Sequence, residues 1–282
     1  MDKQRGNGTR LSVSIVLHNN ALAMFSRVLA SLYQASRVAY EQGYAGSVAV
    51  QVLDNSSSFD FRARADKVVQ DAPHDTFFSV CYRALPYNRG FGAGHNVAIS
   101  ELESDYHLVL NPDAELDEDA LRLGLASLQD DQSIVLVSPR VRGDDGAQEF
   151  LCKRYPSLFV LMLRPFAPRI VRRIFRRALY RYEMRDVCSG SEEAEVLLAS
   201  GCFMLVRSSA LQSVGGFNDR YFLYFEDFDL SIRLGGQGRL VFNPAINIVH
   251  HGGYAARKGF RHVKYFIRSG FTFFQEHGWR LL

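Results

Sequence analysis

The chain lacks any cysteine pair at C-x-x-C spacing: its four cysteines, Cys81, Cys152, Cys188 and Cys202, stand far apart. Neither a zinc site nor a disulfide framework is indicated, and a reducing cytoplasm is the expected compartment. Long apolar runs are also missing. The longest, Leu158 to Leu163, is far too short to span a bilayer, and the polar N-terminus MDKQRGNGTR has no apolar h-region. Neither a signal peptide nor a transmembrane helix is expected. Net charge is small, +3, so nucleic acid is not an expected partner and any basic character that matters must be local. No internal repeat, low-complexity segment or Gly/Ser linker marks a boundary. What remains is a chain of 282 residues, 47% hydrophobic and 22% charged, long enough to bury a core and read as one domain over residues 1–282.

From Leu11 the first half alternates short β-branched runs (LSVSIVL, SVAVQVL, FFSVCY, YHLVL, SIVLVS) with stretches of helical periodicity such as ALAMFSRVLASLYQASRVAYEQ. That rhythm predicts an α/β fold: βαβ units forming a Rossmann-like, mostly parallel central sheet flanked by helices, with ligands bound in the loops after the strands' carboxyl ends. Those loops read His18-Asn19-Asn20, Asp54-Asn55-Ser56-Ser57-Ser58 and Asn111-Pro112-Asp113-Ala114-Glu115. Each alone is explained by turn and cap chemistry. Three polar loops on one edge carry more weight as a binding site.

The pattern changes between about Arg140 and Glu195, so the expected organisation is a first half over 11–138, a basic helical insertion over 139–194, and a last half with a C-terminal tail over 195–282. The run from Asn88 to Asn96, NRGFGAGHN, carries three spaced glycines. It is not a dinucleotide fingerprint, because its spacing is G-x-G-x-G and it follows the third strand rather than the first. Gly92 would let backbone approach a ligand, and Asn88 and Asn96 could hydrogen-bond a nucleotide or sugar; a plain helix-entry loop explains the run about as well.

Residues 221–234, YFLYFEDFDLSIRL, set Glu226, Asp227 and Asp229 among aromatic and aliphatic side chains. Ionised carboxylates in such surroundings must be paired, hydrogen-bonded or bound to metal. Acids also suit the first turn of a helix running through Leu230, Ile232 and Leu234, and this reading is preferred for Asp229.

Taken in order, LSVSIVLHNN, VQVLDNSSS, NRGFGAGHN, LVLNPDAEL, ASGCFMLVR, GGFNDRYFLYFEDFDL and IVHHGG resemble the family 2 inverting glycosyltransferases, especially bacterial rhamnosyltransferase-like members, from Leu11 to about Gly253. The resemblance implies a GT-A fold, a nucleotide-diphosphate sugar donor (dTDP-rhamnose or a UDP-sugar) and a divalent cation, Mg²⁺ or Mn²⁺. It puts Asp54, with Asn55, at the nucleotide base or ribose, lined by His18 and Asn19. Asp113 falls on the second aspartate of the family's D-x-D-like signature and would hold the metal; Asn111 departs from that signature where an aspartate often sits. His250, from the H-x-G-G segment, is a second candidate metal ligand, with a buried histidine bonded to backbone as the plain alternative. Glu226-Asp227 match the E-D motif, with Asp227 as catalytic base; a mostly apolar cleft raises a carboxylate's pKa and improves it as a base.

From Arg164 to Arg181 seven arginines occur without an acid, and Ile170, Val171, Ile174, Phe175, Ala178, Leu179 and Tyr182 recur at helical intervals. This predicts a basic amphipathic helix suited to peripheral contact with the inner face of the cytoplasmic membrane, or else docked on the protein itself. The expected activity is metal-dependent, inverting transfer of a sugar, rhamnose by family analogy, to a cell-surface polysaccharide, lipopolysaccharide or lipid-linked oligosaccharide acceptor. Alternatives are a non-catalytic nucleotide-sugar-binding protein and a nucleotide-sugar hydrolase.

Overall fold

The computed structural model describes residues 8–166, 168–252 and 259–281. Its strands are β1 (Arg10–Leu17), β2 (Ser47–Asp54), β3 (Phe78–Ala84), β4 (Tyr106–Leu110), β5 (Ala114–Leu116), β6 (Ile134–Arg142), β7 (Gln148–Glu149), β8 (Ala194–Glu195), β9 (Phe203–Arg207) and β10 (Arg239–His250). The helices of the first half are α1 (Leu22–Glu41), α2 (Phe59–Gln70), α3 (Phe91–Ile99) and α4 (Ala120–Asp130). Four short helices follow: α5 (Leu158–Phe166), α6 (Arg169–Ile174), α7 (Arg176–Tyr182) and α8 (Arg185–Cys188). The last three are α9 (Ser208–Ser213), α10 (Glu226–Gly235) and α11 (Gly259–His277).

One sheet runs in the order β3-β2-β1-β4-β9-β6-β10-β5, with β7 paired to β6 and β8 to β10. The first four strands are parallel, as their β-branched runs and helical crossovers require. β9 then enters antiparallel to both β4 and β6, while β10 lies parallel to β6, so the sheet is mixed. Two antiparallel steps restore the original direction. The carboxyl ends of β1, β2, β3, β4, β6 and β10 therefore share one edge, and β9 begins there, with Phe203 opposite Leu110.

Leu11, Val13, Ile15 and Leu17 of β1 are buried together with Phe25, Leu29 and Leu32 of α1, which pack a helix stripe onto the sheet. A second cluster, including Val109, Met204, Val206, Phe217, Leu230 and Leu234, seats α10 on the other face. A third, aromatic cluster joins α5, α7, α10 and α11 through Val160, Tyr182, Tyr221, Phe225, Phe273 and Phe274.

The basic segment differs from the single amphipathic helix expected. It breaks at Phe175, between α6 and α7. Tyr182 is buried and Ala178 and Leu179 pack into the aromatic cluster, but Ile170 and Ile174 are 74% and 70% exposed. Its apolar face is thus divided between docking on the protein and facing outward. Among the described residues no helix is long and apolar enough to cross a membrane.

Candidate active site

The loop after β1 places His18 and Asn19 at the shared edge, Asn19 in the left-handed region at φ 54°. Asn88 approaches from the loop after β3, its amide nitrogen 3.4 Å from His18 Nδ1. These three lie at an open rim. Asp54 sits beneath it, fully buried: its carboxylate accepts from the Tyr82 hydroxyl and the Ser56 N–H, both at 2.7 Å. Asn55, also buried, donates to the Gly90 carbonyl at 2.8 Å and accepts from the Arg89 N–H at 3.1 Å. In this arrangement Asp54 and Asn55 brace the rim's backbone.

Gly92 and Asn96, expected at the ligand, make contacts within the protein. A side chain on Gly92 would come within 2.8 Å of Phe217 Cβ, so its bareness serves packing against that ring. The Asn96 amide donates to the Phe217 carbonyl and accepts from the Phe217 N–H, each at 2.8 Å, and donates to Asp219 at 2.9 Å. With both amide N–H groups and its carbonyl engaged, Asn96 is a clamp on the 217–222 loop. Gly90 is held at φ 88°, where a side chain would collide with the Phe222 carbonyl, and that carbonyl accepts from the Phe91 N–H at 3.0 Å. The glycine loop thus grips the segment that leads to Glu226 and Asp227.

That segment reaches α10 through Tyr224 and Phe225, both left-handed at φ 70° and 66°. Consecutive non-glycine residues there carry strain of the kind found at functional sites. Asp227 follows. It accepts from the Gly201 N–H at 3.1 Å and from the Phe228 N–H at 2.9 Å. Burial raises its pKa and these backbone donors pull it down, leaving it at about 6. Glu226 is 5% exposed, and burial first, then the neighbouring Asp227 charge, push its pKa well above the usual carboxylate value. Its Oε2 has no hydrogen-bond partner among the described residues.

The 199–202 segment ties Asp227 to the Asn111–Asp113 loop. Gly201 donates to Asp227, and the next carbonyl, of Cys202, accepts from the Asn111 N–H at 3.0 Å. Asp113 Oδ1 stands 3.5 Å from His250 Nε2, and the His251 N–H donates to the Asp113 carbonyl at 2.9 Å. Two donors bound to one octahedral ion at neighbouring positions would stand about 3 Å apart. A side chain on Gly252 would strike the Asp113 carboxylate and come within 3.0 Å of His250 Nε2, so glycine keeps the space over the pair open. Hard oxygen, imidazole nitrogen, spacing and open cradle fit a divalent cation. Gly253, the last residue of the H-x-G-G segment, lies outside the described residues.

Two residues here were missed in the sequence. Glu149, on β7, accepts from His250 Nδ1 at 3.1 Å and so turns Nε2 toward Asp113. Burial lowers the His250 pKa, but the Asp113 and Glu149 carboxylates together outweigh it and bring it to about 9. Lys153 is a buried cation whose charge draws the Asp227 pKa down. Neither stands in a recognisable motif; each is brought in by a strand pairing distant in sequence, β7 on β6 and the Lys153–Leu198 bridge.

Asp229 serves structure. It is 1% exposed, pairs with Arg233 at 2.6 Å and accepts from His277 Nε2 at 2.8 Å, locking α10 to α11. Glu276 joins Asp229 and His277 in a group with metal-like spacing, but it pairs with Arg220 and Tyr221, and the arginines already balance these acids.

The sequence matches Glycosyl transferase family 2 over residues 12–215, well over half of the chain. It is 30% identical over 218 residues to N-acetylglucosaminyl-diphospho-decaprenol L-rhamnosyltransferase of Mycobacterium tuberculosis, covering 70% of this chain and 68% of that one. Rhamnosyltransferase WbbL of Escherichia coli is 26% identical over 194 residues, covering 65% of this chain and 69% of its own. The structure superposes on GalNAc-T7, solved with UDP, GalNAc and Mn²⁺, with a TM-score of 0.60 at 15% identity, over 86% of this chain but 43% of that one. That likeness carries the fold. Matched over most of its length and folded as a GT-A enzyme with a mixed central sheet, the chain belongs to glycosyl transferase family 2 and is a glycosyltransferase.

Proposed function

We propose that the chain is a divalent-metal-dependent inverting glycosyltransferase that moves rhamnose from a nucleoside-diphosphate donor onto a lipid-linked or polysaccharide acceptor. The observation that carries this reading is the convergence, through the 199–202 segment, of the Asp113–His250 pair with Asp227. The sugar is taken from the names of the Mycobacterium tuberculosis and Escherichia coli relatives, and the lipid-linked acceptor from the name of the former.

In this reading the rim of His18, Asn19 and Asn88 receives the nucleoside, braced from below by Asp54 and Asn55. Asp113 and His250 hold the cation, whose charge when bound offsets the negative charge growing on the leaving diphosphate. Asp227 Oδ takes the proton of the acceptor hydroxyl as its oxygen bonds to the anomeric carbon and the bond to the diphosphate oxygen breaks. Attack from the face opposite the leaving group inverts the configuration. An ionised carboxylate with a pKa near 6 is a stronger base than an ordinary one and is still mostly deprotonated at pH 7. Glu226, held toward its neutral form, spares the site a second adjacent negative charge.

The experiment is transfer of radiolabelled sugar from a nucleotide-sugar panel to membrane lipid extracts by wild type and Asp227→Asn. Loss of transfer by about a hundredfold or more, with donor binding retained, is the expected result. Donor turnover by wild type that is no faster with acceptor than without would favour the hydrolase. The exposed Ile170 and Ile174 beside Arg173, Arg176 and Arg177 support a peripheral membrane contact for the basic segment. The side chains of Arg164, Arg169 and Arg172 lie outside the described residues.

A further inference from the structure

We infer that α11 is a two-faced element whose outer face docks on an anionic lipid bilayer while its inner face holds the loop that leads into α10 and Asp227. The inner face is specific. Ser269 donates to the Leu223 carbonyl at 2.8 Å, a side chain on Gly270 would come within 3.3 Å of the Phe225 ring, and His277 donates to Asp229. Phe273 and Phe274 are buried against α5 and α10 in the aromatic cluster. Tyr224, one of the two left-handed residues before Glu226, is bonded to His262 at 2.9 Å.

The opposite face has no such partners among the described residues. Lys264, Ile267, Arg268 and Phe271 follow one another at helical spacings of three and four, and all are exposed, Ile267 at 61% and Phe271 at 53%. The chain then turns at Gly278 and sets Trp279, 48% exposed, with its ring edge-on to Phe271 at 5.5 Å. Leu281, 69% exposed, is fixed beside α5, where the Arg280 and Leu281 carbonyls accept from the Leu158 and Phe159 N–H groups at 2.9 and 3.3 Å. The outcome is a row of large apolar side chains interleaved with Arg261, Lys264 and Arg268, on a helix whose sole acid, Glu276, is turned onto Arg220 and Tyr221. Apolar side chains with an aromatic at the end and cations alongside are what an interfacial helix presents to anionic headgroups. Among the described residues no acid pairs with Arg261, Lys264 or Arg268, and cations so placed select a negatively charged bilayer over a neutral one.

This deepens the reading in which the acceptor is lipid-linked. Docking by the outer face would bring a membrane-held acceptor to the side of the molecule where the inner face holds the lead-in to Asp227. α11 is a contact separate from the basic segment around α6.

The test is flotation of the intact protein with vesicles of phosphatidylcholine alone or with 30% phosphatidylglycerol, a composition of the order that polybasic segments discriminate. Lys264→Glu/Arg268→Glu and Ile267→Ser/Phe271→Ser are compared with a set at α6, Arg173→Glu/Arg176→Glu. Thermal melting and nucleotide binding of each variant show that the fold and donor site survive, so failure of the transferase reading is seen separately from failure of this one. The expected result is binding of wild type to anionic vesicles only, weakened roughly tenfold or more by either α11 pair. Absence of wild-type flotation, equal binding to neutral vesicles, or α11 variants that float like wild type overturns the inference. So does a wild-type dimer that the α11 variants dissociate, which would make the face a contact between copies of the chain.

Discussion

Asp227 unites the local chemistry: a carboxylate with two backbone donors, a buried glutamate before it whose pKa burial and the Asp227 charge push up, and a buried lysine near it. Because burial raises its pKa to about 6, the base is protonated below that pH and free above it. The rate should climb with pH through an apparent pKa near 6 and level off above 7; a pH–rate profile that is flat between 5 and 7 contradicts the assignment. Glu149 acts at one remove, by orienting His250. Replacing Glu149 with Gln should weaken Mn²⁺ binding in the presence of nucleoside diphosphate about tenfold, measured by the Mn²⁺ paramagnetic resonance signal, while leaving metal-free nucleotide binding unchanged. Asn96→Ala removes three hydrogen bonds from the 217–222 loop and should cost about 2 kcal/mol in denaturant unfolding. The glycine-loop asparagines show where residue-level reading stopped short. The run NRGFGAGHN announces close approach of backbone, but not whether a ligand or Phe217 and Phe222 approach; only the tertiary fold decides.

Among the elements, α3, β1 and β4 share a buried polar chain: Ser14 bonds His95 Nδ1 at 2.7 Å and His107 Nε2 at 2.8 Å, and Ser12 bonds His107 Nδ1 at 2.7 Å. Burial lowers the pKa of both histidines, His107 to about 3. Their folded values lie below the unfolded value near 6.5, so the unfolded chain binds more protons below that pH and stability falls with acid. Between pH 6.5 and 5.5 each should cost about 1 kcal/mol. Because the raised groups His250, Asp227 and Glu226 act in the opposite sense, the test is a difference: the melting midpoint of wild type relative to His107→Asn should fall from pH 7.5 to 5.5, and a difference constant across that range rejects the burial account. The β-branched runs made the parallel strands legible, since fully buried strands need continuous apolar sequence. The mixed character of the sheet was not, because an antiparallel β9 has the same composition as a parallel one. Nor is the break at Phe175 legible in the chain: helical periodicity continues through it, and Tyr182 and Leu179 are docked against α5 and α11 while Ile170 and Ile174 are exposed.

At the scale of the whole molecule, the sheet order explains how residues from His18 to His250 come to one edge: β9 and its neighbours reverse direction twice, so that the carboxyl ends of β4, β6 and β10 point alike. The loops after β1, β2 and β4 could be read from the chain as a binding edge. Glu149 and Lys153 could not, since their relevance depends on pairings across the sheet. The central claim is that this edge binds a nucleoside diphosphate through a cation held by Asp113 and His250. Its most direct measurement is the melting temperature of wild type and Asp113→Asn with UDP or dTDP, each with and without Mn²⁺. Ligand bound only to the native state stabilises it by RT ln(1 + [L]/Kd), about 2.7 kcal/mol at a hundredfold excess over Kd. The account predicts a rise for wild type that needs nucleotide and metal together and is lost in Asp113→Asn; an equal rise without Mn²⁺, or an undiminished one in the variant, would contradict it.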